Sequence, residues 1–421
     1  MRFTSHFSTH VTHHLTWQLS SAHLFHQYPD NGIASESELP SAPPNPAQSR
    51  MSLSFWSSAN TAFTSASGER PPPDRPPPST ALNFLAASLS ADMMFYSSEE
   101  LNVVSVLERV QIAGSGGFST IEVGRIDRMG KLVAVKRSLL PSRWSPTEAE
   151  VSTFEKQFSQ LTLELRILAH KRLAAHPNVL DLLGICVDEY NEAPSLSLVL
   201  GYSPLGTLRA FLTSGNMGLS PIQHFDLISQ AGRGLAAVHS LRVAHGDVKA
   251  ENALVFSEDD GGWCVKISDF GQSLIASSHD PAGNVDPRFG TPLLNAPEIR
   301  TRRVFADRTF TIDAAMCADV FSFGLLAWEV LKAGKGFFDP SWAGLDGVTM
   351  DLSSAEQFLN DLGTNQLCRY GLEWLERTQS GTPTYPRLYQ ILEACLQDEP
   401  DRRQSMLRIN EILDGESQSP G

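Results

Sequence analysis

Hydrophobic positions change their spacing along this chain, and the changes mark its organisation. Over roughly the first 95 residues they follow neither a 3.6- nor a 2.0-residue period, and such a segment buries too little apolar surface to offset its ordering entropy. From Leu101 short β-type runs begin. Val103-Val104-Ser105-Val106-Leu107, the stretch 120–126 and Leu132-Val133-Ala134-Val135-Lys136 read as three successive strands with glycine-containing connections. Ser145-Pro146-Thr147-Glu148 follows with an N-cap serine, a proline at the first helical position and a glutamate three after the cap, which predicts a helix start. Phe154, Phe158, Leu161, Leu165 and Leu168 supply its apolar stripe. Beyond residue 205 helical spacing dominates, for example over 224–239 and 316–331. The expected fold class is therefore α+β and bilobal: a small β-rich lobe with one helix, then a larger, mainly α-helical lobe.

Charge sharpens the first boundary. Residues 1–100 hold 12 of the 80 charged side chains, and they are rich in Ser, Thr, His and Pro, with proline clusters at 43–46 and 71–78. Residues 1–95 are accordingly read as a disordered tail. His6, His10, His13 and His14 could chelate a metal on a helix, but their Thr, Ser and β-branched neighbours oppose that helix. The acid-free stretch 1–29 has a single Arg and no strong amphipathic stripe, so a transit peptide is disfavoured. The proline clusters suit a spacer, or a polyproline ligand for a partner domain. A net charge of −14 argues against nucleic acid as a main partner. Five scattered cysteines without a C-x-x-C pair indicate reduced thiols and a cytoplasmic setting, with the nucleus as the alternative. The sequence has no run of 18 apolar residues, so membrane insertion is not expected.

The chemistry concentrates in a few short segments. Ile112-Ala113-Gly114-Ser115-Gly116-Gly117-Phe118-Ser119-Thr120-Ile121 places glycines in a turn between strands, where backbone amides can approach phosphate oxygens. Lys136 ends an apolar strand, and Glu164 lies on the buried stripe of the following helix, where a carboxylate needs a cationic partner. His245-Gly246-Asp247-Val248-Lys249-Ala250-Glu251-Asn252 and Ser268-Asp269-Phe270-Gly271 put Asp247 and Asp269 22 residues apart. Phosphoryl transfer needs an acceptor-orienting carboxylate, hard oxygen ligands for Mg2+ and cations on the phosphates, and these segments hold those residue types.

With these motifs the chain resembles the eukaryotic protein kinase superfamily across roughly residues 100–412. The resemblance implies a kinase domain over 96–415, with an N-lobe at 96–200, a hinge at 201–203, a C-lobe at 204–415 and a short tail at 416–421. It implies that Ile112, Gly114, Ser115, Gly116, Gly117, Ile121 and Ala134 surround ATP, with Lys136 gripping the phosphates and Glu164 as its partner. Leu200 takes the gatekeeper position, Gly201, Tyr202 and Ser203 the hinge, and Leu254 the floor of the nucleotide site. Asp247 takes the catalytic-base position and Lys249 the phosphate-stabilising one, with Asn252 and Asp269 as ligands of Mg2+, or alternatively Mn2+. Glu298 of Ala296-Pro297-Glu298 is matched with Arg403 as a buried ion pair, and Asp319 with a brace for the catalytic loop.

Lys249 two residues after Asp247 fits the Ser/Thr pattern, whereas Cys395-x4-Pro400-x2-Arg403 is similar to the tyrosine-kinase-like branch. A Ser/Thr kinase of that branch, acting on protein substrates in signalling, accommodates both. Ser119 replaces the third loop glycine, and Gly246 replaces the Arg that often precedes the catalytic Asp and receives an activating phosphate. The segment 335–387 matches the family poorly and is read as helices of the large lobe with an insertion. The competing readings are a pseudokinase acting as a binding or scaffolding module, and a small-molecule phosphotransferase, whose His-Gly-Asp-x4-Asn motif fits residues 245–252.

Overall fold

The computed structural model describes residues 95–96, 101–111, 118–126, 130–138, 148–190, 193–214, 218–275, 290–301, 310–338 and 351–415. The tail over 1–94, the cap residues 145–147 and the short tail 416–421 lie outside them. The described residues divide into two compact units, those within Met1–Leu165 and Leu183–Leu200, and those within Arg166–Leu182 and Gly201–Gly421.

The first unit is built on six strands: β1 (Phe95–Tyr96), β2 (Leu101–Gln111), β3 (Phe118–Ile126), β4 (Lys131–Ser138), β5 (Leu182–Tyr190) and β6 (Ala193–Gly201). They lie in the order β1-β5-β6-β4-β3-β2. The expected β2-β3-β4 meander is antiparallel, and Ile121 on β3 stands opposite Lys136 on β4. Val133 and Val135 are fully buried beside Ile126, Cys186 and Val199, while Leu132, Ala134 and Lys136 between and beyond them are only partly covered. That alternation is the period-2 signature of a strand with one face on a core. Helix α1 (Glu148–Leu168) follows β4 and buries Phe158, Leu161, Leu165 and Leu168 of the expected stripe, while the Phe154 side chain lies outside what is described.

The second unit holds the short helix α2 (Lys171–Ala174), α3 (Leu208–Thr213) and α4 (Pro221–His239), then β7 (Val243–Ala244), β8 (Ala253–Ser257), β9 (Trp263–Ile267) and β10 (Leu274–Ile275). Helices α5 (Pro297–Thr301), α6 (Ile312–Leu331), α7 (Leu352–Asp361), α8 (Gln366–Gln379), α9 (Tyr385–Cys395) and α10 (Met406–Asp414) complete it. Helix α4 begins earlier than its apolar spacing indicates, because Ser220 and Gln223 form a capping box around Pro221. Helix α6 likewise begins at Ile312, where the Thr311 hydroxyl accepts from the Ala314 amide. Among the described residues α6 is the helix long and apolar enough to cross a membrane, and 83% of its most apolar window is buried inside the protein. The poorly matching segment 335–387 contributes α7, α8 and the start of α9.

One boundary differs from the sequence reading. Residues Arg166–Leu182, assigned above to the N-lobe, belong to the second unit. Backbone hydrogen bonds explain this: the Leu180 amide donates to the Ile267 carbonyl at 2.9 Å, and the Ile267 amide to the Asn178 carbonyl at 2.9 Å. The Asn178 side chain adds a bond to the Val265 carbonyl at 2.9 Å. This stretch is therefore stitched to β9, a connection between residues more than 80 apart that periodicity does not reveal.

Candidate functional site

In the first unit, β4 and α1 bring Lys136 and Glu164 together, with Lys136 Nζ 2.7 Å from Glu164 Oε2. Glu164 is 1% exposed, and a carboxylate so placed is tolerable only with a paired cation. Ile121 lies directly across the ladder from Lys136, Ala134 is two residues back on the same strand, and Leu200 is buried near the end of β6. Ile112, Gly114, Ser115, Gly116 and Gly117 lie outside the described residues.

In the second unit, the Gly201 amide donates to the Asp181 carbonyl at 3.0 Å. Ser203 is buried, and its hydroxyl bonds the Val255 carbonyl on β8 and accepts from the Gly206 amide at 3.1 Å. The Ser203 side chain thus ties the hinge segment to β8, and the Ser203 carbonyl accepts from the Gly206 amide at 3.2 Å. Leu254 on β8 bridges to Thr207.

The segment between β7 and β8 is held by several independent ties. Asp319, 2% exposed on α6, accepts from the His245 amide at 2.6 Å and the Gly246 amide at 2.9 Å, and lies 2.9 Å from His239 Nε2. His245 is fully buried, accepts from the Asp247 amide through Nδ1 at 3.2 Å and faces the Ser268 carbonyl through Nε2 at 3.0 Å. An amide needs an acceptor and a carbonyl needs a donor, so Nε2 carries the hydrogen. Gly246 has φ +82°, a left-handed conformation that costs any residue with a Cβ.

These ties aim one carboxylate. Asp247 Oδ1 accepts from the Thr291 hydroxyl at 2.7 Å, and Oδ2 meets Lys249 Nζ at 2.6 Å and Asn252 Nδ2 at 3.0 Å. Lys249 Nζ also donates to Thr291 Oγ1 at 2.9 Å, closing a triangle. Asn252 Nδ2 donates to the Asp247 carbonyl as well, at 2.8 Å, which leaves Oδ1 as the acceptor of that amide. The Ser268 amide and hydroxyl both bond the Asn252 carbonyl, at 2.8 and 2.9 Å, and so set Asp269 beside Asn252. Asp269 is left-handed with φ 62°, a strained conformation for a non-glycine residue. Phe270 is fully buried against the His245 ring, 5.0 Å between centroids. An amide oxygen and a carboxylate on neighbouring backbone segments are hard donors of the kind Mg2+ takes, the remaining positions being filled by phosphate and water.

The matched pair Glu298 and Arg403 is also present. Two Arg403 nitrogens meet the two Glu298 oxygens at 2.7 and 2.8 Å, and Arg403 further donates to the Cys317, Gln397 and Asp398 carbonyls. Sequence reasoning missed Ser268, His239, Arg209, Glu251 and Glu329. Glu251 could have been noticed from its place between Lys249 and Asn252, but nothing in the spacing connects it with Arg209 or Glu329.

Comparison with known proteins follows the same segments. The family model described as protein tyrosine and serine/threonine kinase matches residues 107–413. The chain is 26% identical over 305 residues to a Dictyostelium discoideum protein named probable serine/threonine-protein kinase drkB, covering 72% of this chain and 36% of that one. It is 28% identical over 267 residues to the human cytoplasmic tyrosine-protein kinase BMX, covering 63% and 34%. A receptor-like protein kinase of Arabidopsis thaliana is 30% identical over 256 residues, covering 58% and 26%. The chain thus spans little more than a third, or less, of the length of these curated relatives.

Proposed function

Since the chain belongs to the protein tyrosine and serine/threonine kinase family, we propose that it transfers the γ-phosphoryl group of ATP to serine or threonine hydroxyls of protein substrates, in a signalling role. The observation that carries this reading is the Asp247 carboxylate, held on one oxygen by Thr291 and on the other by Lys249 and Asn252.

Asp247 orients the acceptor hydroxyl and accepts its proton as the oxygen attacks. Lys249, anchored by Thr291, offsets negative charge developing on the transferred group. Lys136, positioned by Glu164, engages the phosphates. Asn252 Oδ1 and Asp269 would hold Mg2+, which would supply positive charge to offset that of the phosphates. Serine and threonine as acceptors are supported by Lys249 in its place two residues after Asp247. Tyrosine is the second reading, favoured by the similarity to a cytoplasmic tyrosine-protein kinase. Five free cysteines support a reducing compartment, the cytoplasm.

Phosphate incorporation from labelled ATP into generic protein and peptide acceptors, followed by phosphoamino-acid analysis, tests the proposal. Wild type should label serine or threonine in a Mg2+-dependent manner. Asp247→Asn should lose roughly a hundredfold or more in rate while still shifting its melting temperature with ATP. Nucleotide binding without any transfer by wild type would instead identify a pseudokinase, and labelled tyrosine alone would overturn the specificity.

A further inference from the structure

The 3-10 turn Ala250–Asn252 carries Asn252 at its end and Glu251 in its middle. Glu251 Oε1 is 2.5 Å from Arg209 Nε on α3. The same guanidinium reaches Glu329 on α6 with Nη2, at 2.9 and 2.8 Å to the two carboxylate oxygens, and lies 3.4 Å from the Gly334 carbonyl through Nη1. Glu329 is 3% exposed in its side chain, Arg209 30% and Glu251 41%. Burial raises the Glu329 pKa above its ordinary value, against the pull of Arg209. Burial acts to lower the Arg209 pKa, but the Glu329 and Glu251 charges prevail and raise it. A carboxylate set so deep at the end of a core helix needs a paired cation, and the Arg209 guanidinium that supplies it also faces Glu251.

Helix α6 therefore holds the catalytic segment at both ends. Asp319 binds its start directly, through the His245 and Gly246 amides. Ten residues further along, about 15 Å at the α-helical rise, Glu329 holds its far end through Arg209 and Glu251. Lysine could not reproduce this link, because an ammonium lacks the planar fork that addresses two carboxylates from fixed directions.

We propose that Arg209 is a positioning residue for divalent-metal binding: by tying Glu251 to Glu329 it fixes the turn that presents Asn252 Oδ1. This rests on the reading of Asn252 as a metal ligand. The link lies outside the residues expected to touch nucleotide, so it acts on the ligand only through the backbone of residues 250–252. Outer partners of this kind orient metal ligands and alter metal affinity when removed.

The test is a Mn2+ titration by electron paramagnetic resonance in the presence of ADP, on wild-type protein and on Arg209→Gln, Arg209→Lys and Glu251→Gln. The Mg2+ concentration for half-maximal phosphotransfer and thermal melting are measured alongside. Arg209→Gln and Glu251→Gln should each weaken Mn2+ binding by roughly tenfold and raise the half-maximal Mg2+ concentration in parallel. Arg209→Lys should not restore either. Glu251→Gln keeps the test decisive if Arg209 variants do not fold, since Glu251 is partly exposed and the substitution is isosteric. Unchanged metal affinity in folded variants with a lowered melting temperature would reduce Arg209 to a structural tie and overturn the proposal. Wild-type protein that binds no Mn2+ with ADP and transfers no phosphate would overturn the kinase reading and this inference together. Normal wild-type binding with unaffected variants defeats only the role of Arg209.

Discussion

Gly246 shows how a single residue can be both readable and misleading. In sequence it appears as a missing arginine, a gap in a regulatory device. In the structure it has φ +82°, and the carbonyl of Gly246 would lie 2.8 Å from a Cβ added at Gly290, itself at φ +81°. Restoring arginine here therefore strains the backbone between two amides that Asp319 holds. Gly246→Ala should cost about 1–2 kcal/mol, measured by urea unfolding, and Gly246→Arg should cost at least as much without creating phosphate-dependent activation. Glu329 supplies a second residue-level test. Its folded pKa is raised by burial above the ordinary 4.5, so the folded state binds the proton more readily than the unfolded chain. Stability contributed by that proton is full below the unfolded pKa and declines as pH rises through the folded one. Unfolding free energy measured against pH should show a shallower decline over that window in Glu329→Gln than in wild type. Asp247, Lys249, Asn252 and Asp269 stood out in the sequence through the family resemblance, and the fold brings the first three of them into contact. The orientation of the Asn252 amide was not legible there, because it follows from two bonds to Asp247 that only the folded turn creates.

At the scale of elements, periodicity located the bodies of α1, α4 and α6 but not the starts of α4 and α6, which capping chemistry sets. Ser220 lies just before Pro221 and three before Gln223, a readable signature that fixes the start of α4. Ser220→Ala should remove about 1 kcal/mol, seen as a lower denaturation midpoint with unchanged phosphotransfer. What joins elements is a different matter. Arg403 and Glu298 are 105 residues apart in sequence, and pairing them from sequence required a family resemblance. Arg403→Met should cost about 3–5 kcal/mol by leaving a buried carboxylate without its cation, which lowers the melting temperature by roughly 6 °C or more for a unit of this size. The double variant Arg403→Met/Glu298→Leu should recover much of that loss. If it does not, the carbonyls that Arg403 also binds carry more of the stability than the ion pair.

For the molecule as a whole, the cysteine count indicated free thiols, and burial now says how they behave. Cys186, Cys264, Cys368 and Cys395 are buried and Cys317 is half-buried. Burial raises the Cys368 thiol to about 11 and pushes Cys264, Cys317 and Cys395 up as well. Because the thiolate is the reactive form, native protein at pH 8 should react with Ellman's reagent slowly at all five positions and rapidly once unfolded. A fast-reacting thiol in the native state would show that this burial is wrong. The sequence by itself determined that a strand-rich part precedes a helical one, the acidic balance and the residue types available for phosphoryl transfer, because each depends on local period or on composition. The tertiary structure alone decided that residues 166–182 join the second unit and that α6 braces the segment 245–252 at two points. It alone showed Arg209, 120 residues from Glu329, between two glutamates. Such contacts arise where distant segments pack, and spacing along a chain does not encode which of its many charges will meet.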